Sequence, residues 1–231
     1  MKDIPILFEN DDGIVFNKPA GLPVQGGASV KVSLDRLLTE TRFPRPLLVH
    51  RLDKDTSGII LVAKHKAAAV RFSAIFSRGK GIAKQYLAIC AGSPPHDSGV
   101  IRLDLDVRGM TKQSETAYKR LSEHQGFSLL ELELGTGRMH QIRRHLAGIG
   151  NPVLGDDKYG DFALNKSLRK SAGLKQLLLH AVRLVFAEPI EGFPPNITAP
   201  LPEYFTSFLF RFGLHRFSVF KKFSEELIVT L

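Results

Sequence analysis

The 231 residues predict an α+β protein with a mixed, largely antiparallel central sheet flanked by helices and loops. Two stretches, VIRLDLDV (100–107) and FSLLELEL (127–134), alternate apolar and polar residues with a period of two, the mark of half-covered antiparallel strands. The run Ile59–Ala63 is continuously apolar and of strand length, as a central strand buried on both faces requires. Strands come in runs, with helices scattered between them instead of alternating one for one, which disfavours a doubly wound parallel sheet.

Taken in chain order, Ile14-Val15-Phe16 predicts a short strand that enters a Pro/Gly-punctuated loop, NKPAGLPVQGG. Residues 33–40, SLDRLLTE, predict a helix with Ser33 as its cap. After the Ile59–Ala63 strand, residues 67–77 predict a helix that stops in the Gly79–Gly81 region. IAKQYLAIC (82–90) predicts a strand with Lys84, Tyr86 and Ala88 on one face. In 100–107, Ile101, Leu103, Leu105 and Val107 share a face of one strand; SETAYKRL (114–121) is a plausible neighbour of 127–134. Met139, Ile142 and Leu146 recur at i, i+3 and i+7, so a short helix is expected from near Thr136 to Gly148 or Gly150, with that stripe inward. Arg143 borders the stripe, where a guanidinium either reaches a partly buried carboxylate or snorkels to solvent. The Phe-rich, basic segment 205–231 predicts a terminal helix docked on the body of residues 1–204.

Composition narrows the function classes. The formal charge is +9 and the pI about 9.7. That excess favours polyanionic partners, nucleic acid first, because neutralised phosphates release counterions. A single cysteine, Cys90, allows neither an internal disulfide nor a Cys-based zinc cluster. The N-terminus lacks the apolar stretch of a signal peptide and no run approaches a membrane span, so a cytoplasmic protein is expected.

HRLDKDTSGIILVAK (50–64) sets Asp53 between Arg51 and Lys54 at the mouth of an apolar run. A carboxylate among cations is either a surface ion pair, worth ~0–1 kcal/mol, or a nucleophile or base held ionised. Asp53 and Asp55 together are a weak signal for a glycosidase pair. His140 and His145, five residues apart, do not share a helix face and form no HExxH pattern, so no metal is expected. Asp156-Asp157, flanked by glycine, predicts turn chemistry. No phosphate loop, dinucleotide fingerprint or nucleophile elbow is present.

HRLDKDTSGIILVAK resembles the signature of the RluA-type branch of the pseudouridine synthases. The resemblance extends, in order, to NKPAGLPV (17–24), the K-x-Y-x-A pattern Lys84–Ala88, TGRMHQIRRH (136–145), GNPVLGDDKYG (150–160) and LLLHA (177–181). It spans residues 6 to 205 and implies an enzyme that isomerises uridines in RNA to pseudouridine without a cofactor. Asp53 matches the family's essential aspartate, acting as nucleophile or base. Arg143 matches the arginine that pairs with it, and Tyr86 the tyrosine that stacks on the target base. Arg51 matches a residue that holds RNA around a nucleotide flipped out of its stack, and Arg138, His140 and Gln141 are expected to position RNA or the helix start. NKPAGLPV begins at residue 17, so the N-terminal S4-type RNA-binding domain of some members is not expected here. The expected substrate is large-subunit ribosomal RNA, with tRNA as the alternative, and the expected enzyme is a monomer with RNA as its partner. A noncatalytic RNA-binding protein and a nucleoside or glycoside hydrolase are the competing classes.

Overall fold

A computed structural model of the chain describes residues 4–27, 30–41, 45–77, 81–107 and 109–215. In chain order the elements begin with β1 (Ile6–Glu9), β2 (Gly13–Lys18), α1 (Leu34–Thr41), β3 (Leu47–Leu48), β4 (Ser57–Ala63), α2 (Lys66–Ser77) and β5 (Ile82–Ala91). They continue with β6 (Ser98–Arg102), β7 (Leu105–Val107), β8 (Met110–Lys112), β9 (Glu115–His124), β10 (Phe127–Leu134) and α3 (Gln141–Gly148). The last are α4 (Phe162–Ala172), β11 (Leu179–Phe186), β12 (Asn196–Thr198) and α5 (Glu203–Arg211). The class is α+β. The chain forms two compact units, Met1–Lys84 with Ala181–Ala199 and Gln85–His180 with Pro200–Leu231, so β5 and β11 each pass from one unit to the other.

The first unit is organised by β4, buried along its whole length as its apolar run requires. β2 pairs antiparallel along it, Phe16 opposite Ile60, and β3 pairs at its far end. The β1–β2 turn closes on Asn10, whose side-chain oxygen accepts the backbone N–H groups of Asp12 and Gly13 at 3.0 Å each. Gly58 has φ of 110°, and a Cβ there would stand 2.2 Å from the carbonyl oxygen of Ala181 in β11. Only glycine admits that approach. α2 lays Ala68 and Phe72 into a core with Val15, Ile59, Leu61, Leu184 and Ile197. The predicted stop of α2 falls largely outside the described residues. Ser33 does precede α1, and its carbonyl accepts the first helical bond from Leu37 at 3.0 Å. Its hydroxyl donates to the Asp35 carboxylate instead of capping an N–H.

In the second unit, β10 runs antiparallel between β5 and β9, and β6 pairs on the far side of β9. Leu132 faces Tyr86 and Leu130 faces Ala88 across the β10–β5 ladder. Gln125 and Gly126, both at positive φ, make the two-residue turn that joins β9 to β10. Phe205, Phe208 and Leu209 on α5 are buried; residues 216–231 of the predicted terminal helix lie outside the described residues.

Two local expectations are corrected. The alternation over 100–107 is not one strand. β6 pairs with β9 while β7 pairs with β8 in a separate ribbon, and Leu103 is 36% exposed. The break has a polar cause, because the Leu103 carbonyl accepts the Ser114 hydroxyl at 2.6 Å and lies 3.3 Å from His145 Nε2. The helix expected from Thr136 begins only at Gln141, preceded by His140 in the left-handed region at φ 54°. Met139 therefore lies outside the helix and is 60% exposed, whereas Ile142 and Leu146 do face inward.

Candidate active site

Within the first unit, the loop between β3 and β4 carries HRLDKDT. Its residues are anchored alternately. His50 accepts the backbone N–H of Leu61, in the middle of β4, at 2.9 Å. Its ring stacks on Phe76 at 4.1 Å. Burial and the charge of Lys84 push its pKa down to about 3, so the imidazole is neutral and free to accept. Arg51 is exposed, Leu52 buried, Asp53 half-buried, Lys54 exposed and Thr56 buried. Asp53 is thus held on a short segment with inward anchors on both sides.

A second clamp reaches the same loop from β2. Lys18 is fully buried, and its ammonium donates to the carbonyls of Pro19 at 2.9 Å, Leu22 at 2.9 Å and Lys54 at 3.0 Å. Its three donors are matched by three acceptors. Gly21 N–H adds a fourth tie, to the Lys54 carbonyl at 3.0 Å. The NKPAGLPV loop is therefore stitched to the residue next to Asp53. Burial pushes the Lys18 pKa down to about 7, against the pull of Asp55 and Asp53, whose carboxylates favour the charged form.

Within the second unit, segment 136–143 gathers Arg138, His140, Gln141 and Arg143. Gln141 is buried, and its amide organises the turn. The side-chain oxygen accepts Thr136 Oγ1 at 2.7 Å and Arg138 N–H at 3.0 Å. The nitrogen donates to the Glu115 carbonyl at 2.8 Å and to Thr116 Oγ1 at 3.1 Å. His140 Nδ1 sits 3.1 Å from the Tyr159 hydroxyl, a tie that helps hold the left-handed backbone there. Tyr86, on β5, is largely buried.

Arg143 is not a solvated basic residue. It is 4% exposed and meets Asp156, 1% exposed, in a fork in which Nε donates to Oδ2 and Nη2 to Oδ1, both at 2.7 Å. Asp156 also accepts the backbone N–H groups of Lys158 and Tyr159 at 2.9 Å each, which is the expected turn chemistry. Burial raises the Asp156 pKa, but the Arg143 hydrogen bonds, the two N–H groups and the Arg143 charge outweigh it, and the pKa lies below the usual value. The Tyr159 ring lies under the guanidinium at 5.3 Å. The side chain of Arg143 is thereby locked in one orientation.

Lys18 and Asp156 carry no site role in the sequence reading. Lys18 stands inside NKPAGLPV, but the loop partners of a buried lysine have no local pattern. Asp156 was legible as a turn residue and not as the partner of an arginine 13 positions earlier. His145, five residues after His140, bonds Ser114 Oγ at 2.9 Å. No group of three or more His, Cys, Asp or Glu residues is arranged to hold a metal among the described residues, and none of their helices is long and apolar enough to cross a membrane.

The profile of the RNA pseudouridylate synthase family matches residues 12–148, which takes in both the Asp53 loop and the Arg143 helix. A ribosomal large subunit pseudouridine synthase C of Rickettsia felis is 37% identical over 216 residues, covering 87% of this chain and 68% of the relative. The solved structure of human RNA pseudouridylate synthase domain containing 4 superposes with a TM-score of 0.75 at 28% identity, covering 90% of this chain and 92% of that one. Human RNA pseudouridylate synthase domain containing 1 does so with a TM-score of 0.71 at 26% identity, covering 87% and 84%. The chain belongs to the RNA pseudouridylate synthase family and is an RNA-uridine isomerase.

Proposed function

We propose that this enzyme isomerises uridines of large-subunit ribosomal RNA with Asp53 as its catalytic carboxylate. The reaction breaks the N1–C1′ bond, turns the uracil and forms a C5–C1′ bond. N1 gains a proton and C5 loses one to solvent, so atoms balance without a cofactor. Asp53, ionised, acts as nucleophile or base on the ribose–uracil unit. The family resemblance assigns Arg143 as the cation that favours the ionised carboxylate, and Tyr86 as the ring that stacks on the base and assists removal of the C5 proton. Arg51 and Arg138 hold the backbone of the flipped nucleotide, and flipping costs a few kcal/mol that such phosphate contacts offset. His140 and Gln141 act from beneath, by fixing the loop that carries Arg138.

The observation that carries this reading is the double clamp on the Asp53 loop. His50 ties the loop to β4 and Lys18 of β2 ties it at Lys54, one on each side of Asp53, while Asp53 itself is only half-buried. A surface ion pair needs no such support. Preorganised placement of a reacting group does, since small displacements are costly in rate. The Arg143–Asp156 fork gives comparable rigidity to the assigned cation. The ribosomal substrate is carried by the name of the Rickettsia felis relative. The test is to incubate the purified chain with separated ribosomal RNA and tRNA from cells that lack this gene, and to measure pseudouridine in each. New pseudouridine in large-subunit RNA is expected; its appearance in tRNA alone would overturn the substrate assignment.

A further inference from the structure

We propose that the exposed basic stripe of α4, continued by Lys175 and Arg211, is a track for RNA phosphates outside the reacting nucleotide. It rests on RNA being the substrate. From Phe162 to Ala187 the chain has no aspartate or glutamate. On α4, Asn165 and Leu168 turn inward, while Lys166, Arg169 and Lys170 are exposed. Their spacing of three and four residues puts them on one face. Beyond the left-handed Gly173 cap, exposed Lys175 borders a pocket of about 250 Å³ whose opposite wall on α5 includes Ser207 and Arg211. Arg211 donates to the Ser171 carbonyl at the end of α4, which ties its guanidinium to the end of the stripe.

Stability alone does not account for this arrangement. Like charges at i and i+4, as Lys166 and Lys170 are, destabilise an isolated helix. The helix dipole favours Arg169 and Lys170 in the last turn, but Lys166 stands a turn earlier and Lys175 beyond the helix. A polyanion laid along the stripe relieves the repulsion and releases its counterions.

The test compares the full chain with Lys166→Gln/Arg169→Gln/Lys170→Gln. A control, Lys31→Gln/Lys66→Gln/Lys119→Gln, removes the same charge from scattered exposed sites. Glutamine keeps helix propensity, so the fold is retained. Binding of fluorescein-labelled polyuridylate is followed against KCl concentration. The stripe variant is expected to lower the slope of log K against log salt by about 2, three contacts at about 0.7 each, and the control by less than half of that. Equal changes in the two variants, or no change in the stripe variant, would overturn the track. So would an unchanged RNA slope with lost binding to phosphatidylserine vesicles, which would assign an acidic lipid surface instead. Binding is read without turnover, so this outcome is separate from the fate of Asp53 as catalytic residue.

Discussion

Lys18 in the first unit and Arg143 in the second are both buried cations next to a site segment, and they are satisfied in opposite ways. Lys18 faces three carbonyl dipoles, whereas Arg143 faces a carboxylate in a two-bond fork. Dipoles compensate only part of the lost hydration of an ammonium, and its pKa falls to about 7. A carboxylate supplies a full opposing charge, and the pair stays ionised across the neutral range. The first anchor is therefore titratable and the second is permanent. The loop that carries Asp53 is held by the weaker device and the guanidinium of Arg143 by the stronger one.

The largest way to break this contrast is at Asp156. Asp156→Ala removes the two-bond carboxylate fork from the buried Arg143 guanidinium, and a loss of about 3–5 kcal/mol is expected in urea unfolding. Replacing both members, Arg143→Met with Asp156→Asn, which keeps an acceptor for the Lys158 and Tyr159 N–H groups, is expected to recover much of that stability without turnover. Recovery of turnover in the double variant would show that Arg143 serves the fold alone.

A smaller effect is expected at Lys18. Lys18→Met strips the donor from three carbonyls, at about 1–3 kcal/mol. It also sharpens the comparison through pH. The folded pKa near 7 lies below the ordinary 10.5, so between those values the unfolded chain binds more protons than the folded one. Lys18 thus makes stability rise with pH across that window. Unfolding curves at pH 7 to 10.5 are expected to show a slope that is more positive in wild type than in Lys18→Met.

At neutral pH the smallest effect concerns His50. Its pKa falls from 6.5 to about 3 on folding, so stability is expected to decline as pH drops through that range, because only the unfolded chain takes the proton. His50→Gln, which keeps an acceptor for Leu61 N–H, is expected to flatten the decline while remaining folded at neutral pH.

The sequence made the elements with a simple period legible. β4, β5, β9 and β10 follow from apolar runs and alternation, and α2 from its composition. Its failures share a cause: a distant polar group overrides a local pattern. The alternation at 100–107 breaks because Ser114 and His145 engage the Leu103 carbonyl. α3 starts late because Gln141 draws its bonds from Thr136, Arg138 and β9. In the site, motif resemblance singled out Asp53, Tyr86 and Arg143. The groups that fix the backbone beside Asp53 and the guanidinium of Arg143, Lys18 and Asp156, act through loop carbonyls and a turn, for which sequence spacing has no signature.

The most direct test of the central claim is tritium release from RNA carrying 5-³H-uridine, drawn from cells lacking this gene, by wild type and Asp53→Asn. Release by wild type is predicted, with none above background from a folded Asp53→Asn protein that still binds the RNA. Undiminished release from Asp53→Asn would contradict the assignment of Asp53 as the catalytic carboxylate.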